Sequence, residues 1–113
     1  MSTDPVASLL GLDRLIHEPG RLVLMALLAP VESADFLFLL RQTGMTKGNL
    51  SSHLMRLEEG GYVAVEKTYQ GRTPQTIYRV TEPGRAAWEE YQRRLRRFVQ
   101  SSGPLLRPVP EPG

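Results

Sequence analysis

The 113-residue chain is 41% hydrophobic and 23% charged with a formal charge of +2, the profile of one globular domain large enough to bury a core. It has no cysteine, which excludes disulfides, thiolate metal sites and cysteine nucleophiles, and its two histidines, His17 and His53, are too few for a metal site without carboxylates. The longest apolar run, Leu22 to Ala29, stops at Pro30, far short of the ~20 residues of a membrane span. With no basic signal-like start and no thiols, the expectation is a cytoplasmic protein without a membrane partner.

In chain order, Leu9, Leu12 and Ile16 recur at helical spacing and predict a helix over residues 6–16, ended by His17-Glu18-Pro19-Gly20. A second helix over residues 21–29 is apolar nearly all round and is expected at the centre of the core. Ser33 is read as the N-cap of a third helix carrying Phe36, Leu37, Leu39 and Leu40 and ending at Gly44. Thr46 then caps a helix over residues 47–59, whose Leu50, Leu54 and Leu57 form one narrow buried stripe. Two helices joined by the tight Gly44-Met45-Thr46 turn make a helix-turn-helix.

Tyr62 to Tyr69 reads as a strand, Gln70 to Gln75 as a turn, and Thr76 to Val80 as the returning strand. Thr81 caps a last helix with Pro83 in its first turn. Residues 101–113 hold four prolines and two glycines and are expected to be disordered, as are residues 1–8, leaving one domain over residues 9–100. The order α-α-α-α-β-β-α is that of a winged helix-turn-helix, a mainly α protein with a β-hairpin wing in the α+β class.

With the leucine stripe inward, the opposite face of the fourth helix carries Gly48, Ser51, Ser52, Met55 and Arg56, flanked by Lys47, Asn49 and His53. Short hydrogen-bonding and basic side chains at a helix N-terminus suit the major groove, where base edges and phosphates are within reach. His53 either joins that face or packs against the flank of the core. Glu58 and Glu59 are held back at the far end of the helix, and Lys67, Arg72 and Arg79 make the hairpin basic, with no acid between them. Arg72 at the tip is placed to enter a minor groove or clamp a phosphate. Double-stranded DNA is therefore the expected partner.

Gly44-Met45-Thr46-Lys47-Gly48-Asn49-Leu50-Ser51-Ser52-His53-Leu54, followed by Leu57-Glu58-Glu59-Gly60-Gly61-Tyr62-Val63, resembles the winged-helix regulators related to the MarR and ArsR families. The wing Tyr69 to Thr76 and the stretch Tyr78 to Arg85 fit the same pattern, so the similarity covers about residues 12–97. The resemblance implies a homodimeric DNA-binding transcriptional regulator with no catalysis and no cofactor. Carried onto this chain, it implies DNA contacts from Thr46, Lys47, Gly48, Asn49, Ser51, Ser52 and Arg56, and from Arg72 and Thr73 of the wing. Metal sensing of the ArsR type does not carry over, because the cysteines are absent and the histidines lie in separate elements.

Trp88, Tyr91, Leu95 and Phe98 follow 3-4-3 spacing in the last helix. They pack either on Leu9, Leu12 and Ile16 of the same chain or on the same helix of a second chain. The seven together are read as a dimer interface, since a two-fold dimer matches palindromic half-sites. The cationic run Arg93-Arg94-Leu95-Arg96-Arg97 follows Glu89 and Glu90, which can pair with it one turn on, as on a solvated helix face. An unidentified small-molecule effector is compatible with such a dimer; its pocket would lie between the dimer helices and the core, walled by Trp88 and Phe36. The lack of any phosphate loop or catalytic constellation speaks against an enzyme, and none is expected. The alternative is a winged-helix module that binds protein, for which acids on the recognition face or a neutral wing would speak; neither is seen.

Overall fold

The computed structural model describes residues 5–101; the proline-rich tail and the first four residues lie outside it. The first helix, α1 (Pro5–Leu10), is shorter than the apolar spacing predicts. The Asp13 carboxylate ends it by offering the chain another partner: Oδ1 accepts from Leu15 N at 2.8 Å and from Ile16 N at 3.4 Å. A side chain that bonds the following backbone in this way competes with the helical ladder. The other Asp13 oxygen accepts the Tyr62 hydroxyl, which ties this turn to the strand region and pushes the Tyr62 pKa up to about 12.

Helix α2 (Pro19–Leu28) begins two residues before the expected Arg21, because Glu18 caps it. The two carboxylate oxygens accept from Gly20 N at 2.9 Å and Arg21 N at 3.0 Å, and Pro19 occupies a position where no N–H is needed. Leu24, Met25 and Leu28 are buried, whereas Val23 on the opposite side is 43% exposed, so α2 is central on one face only.

Strand β1 (Ala34–Asp35) does not follow from the sequence pattern, and it moves the next cap from Ser33 to Asp35. Asp35 Oδ1 accepts from Phe38 N at 2.7 Å and opens α3 (Phe36–Thr43). Gly44 closes α3 at φ 68°, a left-handed geometry that glycine takes without steric cost. Thr46 Oγ1 accepts from Asn49 N at 3.1 Å and opens α4 (Lys47–Glu59), which buries Leu50, Leu54 and Leu57 as the spacing predicts.

The hairpin is longer and tighter than expected. Strands β2 (Val63–Gln70) and β3 (Thr73–Val80) pair in register from Val63↔Val80 to Gln70↔Thr73, so only Gly71 and Arg72 form the turn. β3 also pairs with β1 (Ala34↔Tyr78, Asp35↔Ile77), giving a three-stranded antiparallel sheet in the order β1-β3-β2. Tyr78 turns into the core beside Val63.

Thr81 joins the sheet to α5 (Glu82–Ser101). Its N–H donates to Tyr62 O at 3.0 Å, its hydroxyl donates to Gly61 O at 2.6 Å, and Gly84 N donates to Oγ1 at 3.0 Å. Gly84 is buried against the same Tyr62 carbonyl, where an added Cβ would lie 2.1 Å from the oxygen. Among the helices α5 packs chiefly on α1. Tyr91 enters the core, its hydroxyl 2.8 Å from His17 Nδ1 and its ring stacked on Trp88 at 5.9 Å. No helix among the described residues is long and apolar enough to cross a membrane.

Candidate nucleic-acid interface

The leucine stripe fixes which side of α4 points away from the core. Lys47, Gly48, Asn49, Ser51, Met55 and Arg56 are exposed there, Ser52 is half-buried, and no acid occurs in the first turn. A Cβ placed at Gly48 would meet nothing within 4 Å, so the backbone of α4 is open to close approach at that point. Thr46 is exposed, but its hydroxyl is committed to the cap. The first N–H groups of α4 have no carbonyl partner within the helix, and apart from that of Asn49, which the Thr46 hydroxyl accepts, they and the positive end of the helix dipole suit an anion.

His53 takes the second of the two places the sequence leaves open. Its side chain is 15% exposed, and Nδ1 lies 3.3 Å from Glu18 Oε2 and 3.3 Å from Arg21 Nη1. The ring faces the start of α2, away from the groove-facing side of α4. Glu18, the α2 cap, carries a pKa below its ordinary value: burial alone would raise it, but the Gly20 and Arg21 N–H groups, with His53 and Arg21 beside it, more than offset that.

The wing rises beside α4. Arg72 and Thr73 are exposed at its tip, and Gly71 stands at φ 66° to allow the two-residue turn. Lys67 is exposed, while Arg79 is paired across the strands with Glu66 at 3.3 Å. The hairpin's basic character therefore rests on Lys67 and Arg72. Between wing and helix runs a groove of about 250 Å³, lined in part by Ser51, Met55, Lys67 and Thr76. Gln75 Nε2 donates to Asp35 Oδ2 at 3.0 Å and braces the wing against the start of α3. The Phe38 N–H, and after it the Gln75 amide, holds the Asp35 carboxyl below its ordinary pKa. Gln75 and Thr76 are additions to the site that composition and periodicity do not single out, because their roles follow from strand register.

The seven residues read as a dimer seam divide in two. Leu12, Ile16 and Tyr91 are 5%, 0% and 2% exposed within this protomer, so they serve its own core and leave no surface for a partner. Leu9, Trp88, Leu95 and Phe98 are half-buried, and Leu10 and Val99 are exposed. Trp88 and Phe36 line different grooves. Trp88 lines an open groove of about 470 Å³ with Ala26, Ala29, Pro30 and Arg85, whereas Phe36 lines one of about 260 Å³ beside Pro74 and Thr76. Glu90 holds Arg93 at 2.8 Å and Arg94 at 2.9 Å, as a solvated helix face would. No cluster of potential metal ligands occurs among the described residues.

Comparison with known proteins agrees with this geometry. A family model described as "Winged helix DNA-binding domain" matches residues 21–99, from the first turn of α2 almost to the end of α5. An uncharacterised protein of Methanocaldococcus jannaschii is 37% identical over 78 residues, 69% of this chain and 85% of the relative. The solved structure of a transcriptional regulator homologue from Pyrococcus horikoshii OT3 is similar at TM-score 0.80 and 25% identity, over 88% of this chain and 97% of that one. A PadR family transcriptional regulator from Eggerthella lenta is similar at TM-score 0.64 and 25% identity, over 81% and 88% of the two chains. The family match spans most of the chain and takes in both the helix-turn-helix and the wing: this chain belongs to the winged-helix DNA-binding domain family.

Proposed function

We propose that the protein is a sequence-specific, double-stranded-DNA-binding transcriptional regulator that works in the cytoplasm as a homodimer and catalyses no reaction. The observation that carries this is the open, acid-free N-terminal face of α4 beside the exposed Arg72 of the wing tip. In this reading α4 enters the major groove with Lys47, Asn49, Ser51, Ser52 and Arg56 toward bases and phosphates. Gly48 lets the backbone come close, and the helix start that Thr46 caps faces the same side. Arg72 and Thr73 reach the adjacent minor groove or backbone. The regulators similar in structure from P. horikoshii and E. lenta support the assignment to transcription.

The dimer is supported by the charge order along the flank of α5 beside Trp88 and Val99, with Glu89 in its first half and Arg96 in its second. An antiparallel pair of α5 helices sets Glu89 beside the partner's Arg96 and covers Trp88 and Val99. Two α4 helices would then meet successive major grooves, ~34 Å apart. The groove beside Trp88 is the one an apolar effector would use in such a dimer.

Fluorescence anisotropy tests the function, using duplex from the gene's own upstream region against a scrambled duplex at two salt concentrations. Salt-sensitive binding that prefers the upstream duplex is expected. Absence of binding to either duplex at low salt leaves the fold intact and points to the protein-binding module or to a regulator that needs a co-effector.

A further inference from the structure

Leu50, Leu54 and Leu57 seat α4 on the core through contacts that carry no preferred direction of their own. Among the described residues, the directional side-chain contacts from α4 to a neighbouring element lie on one side. There the His53 ring lies between Glu18 and Arg21, with Nδ1 at 3.3 Å from each. Arg21 is itself fixed by Nε–H donating to Leu15 O at 2.6 Å, and Glu18 by its two cap bonds. Gly20 supplies the seat for the ring: a Cβ there would stand 2.6 Å from His53 Nε2 and 2.8 Å from Cδ2. Glu18 and Arg21, which flank the imidazole, are thus both tied to the backbone of the α1–α2 region.

We propose that His53 is a positioning residue, which sets the roll of the recognition helix on α2 through Glu18, Arg21 and the side-chain-free surface of Gly20, and so fixes which bases α4 can read. The proposal rests on the assignment of α4 as the DNA-reading helix. Nδ1 has a partner in either protonation pattern, donating to Glu18 when it carries hydrogen and accepting from Arg21 when it does not. Asn49 is one turn before His53 and Arg56 one turn after, so both stand on the column whose direction the clamp determines. A roll of ~20° carries a side-chain tip ~6 Å from the helix axis through ~2 Å. That is several times the tolerance of a hydrogen bond to a base edge, whereas a phosphate contact from a long basic side chain survives it.

The test uses the full chain and two probes: a duplex selected from a random pool by the wild-type protein, and a scrambled duplex of equal length. Affinities are measured by anisotropy over a range of salt, with folding checked by circular dichroism. His53→Ala is expected to cut the selected-to-scrambled affinity ratio about tenfold, the loss of roughly one base contact, while the scrambled affinity and the salt slope stay within twofold of wild type. His53→Gln, which can donate to Glu18 and accept from Arg21, is expected to restore the ratio to within threefold. Gly20→Ala, on another element, should lower the ratio alone but add nothing in a His53→Ala background, where the methyl group fills the vacated seat. It also serves should His53→Ala fail to fold.

An unchanged ratio in both His53→Ala and Gly20→Ala overturns the proposal and leaves DNA binding intact. Equal loss on both duplexes with a salt slope smaller by about one also overturns it, since that marks a direct phosphate contact. If wild type selects no duplex, the proposal falls together with the assignment of α4.

Discussion

Gly84→Ala should unseat α5 from the sheet. The added methyl would stand 2.1 Å from the Tyr62 carbonyl oxygen and 2.9 Å from the Tyr62 carbonyl carbon and Cα, all backbone atoms that no rotamer change can move. Relief requires α5 or the start of β2 to shift by ~1 Å, at the upper end of overpacking costs, ~3 kcal/mol. The same carbonyl accepts Thr81 N–H at 3.0 Å, so the shift also weakens a hydrogen bond worth ~1 kcal/mol. Alanine's helical preference over glycine returns up to ~1 kcal/mol. The net loss is ~3 kcal/mol, which for a domain of this size lowers Tm by ~12–24 °C. Thermal unfolding followed by far-ultraviolet circular dichroism, with urea titration for the free energy, measures it. A variant as stable as wild type, or more so, would refute the reasoning, because the helical gain would then outweigh the clash.

Gly48→Ala is the same chemical change in open space and should have the opposite sign: Tm rises by a few degrees, from a gain of ~0.5–1 kcal/mol, while affinity for the selected duplex falls as the methyl enters the space between α4 and DNA. Arg72→Ala should weaken selected and scrambled duplexes alike and reduce the salt slope by about one, read by anisotropy; a change confined to the selected duplex would mean base reading in place of phosphate contact. The pKa of Asp35 is depressed in the folded state, so the stability it supplies is present above its ordinary value of 3.8 and is lost as pH falls through the lower folded value. Urea unfolding between pH 6 and pH 2 should therefore show an acid-side decline that is shallower in Asp35→Asn, and equal slopes would sink the assignment.

The elements that could be read from sequence are those whose ends are set by neighbouring residues. Gly44 with its left-handed turn, Thr46 with its bond to Asn49 N and the leucines of α4 all act within one or two turns of chain, so the helix-turn-helix is visible in the order of residues. β1 is not, because two residues carry no period and its partners, Ile77 and Tyr78, lie far along the chain. The first helix is read too long for a different reason. Leu12 and Ile16 keep the apolar spacing and are buried, but the Asp13 carboxylate turns the backbone between them. His53 and Arg79 teach the same lesson at the site. The residues that claim them, Glu18 and Glu66, are brought near by the α2–α4 packing and by strand register, which no local pattern encodes.

The junction at Thr81 and Gly84 also gives α5 the mechanics of a lever. Its 20 residues span ~30 Å, and its base is pinned by three hydrogen bonds and a backbone-to-backbone contact with no room for a methyl group. A ~10° tilt about that base would sweep the far end through ~5 Å, and what holds the helix against it is Tyr91, seated in the core with its hydroxyl 2.8 Å from His17 Nδ1, together with α1 packed alongside.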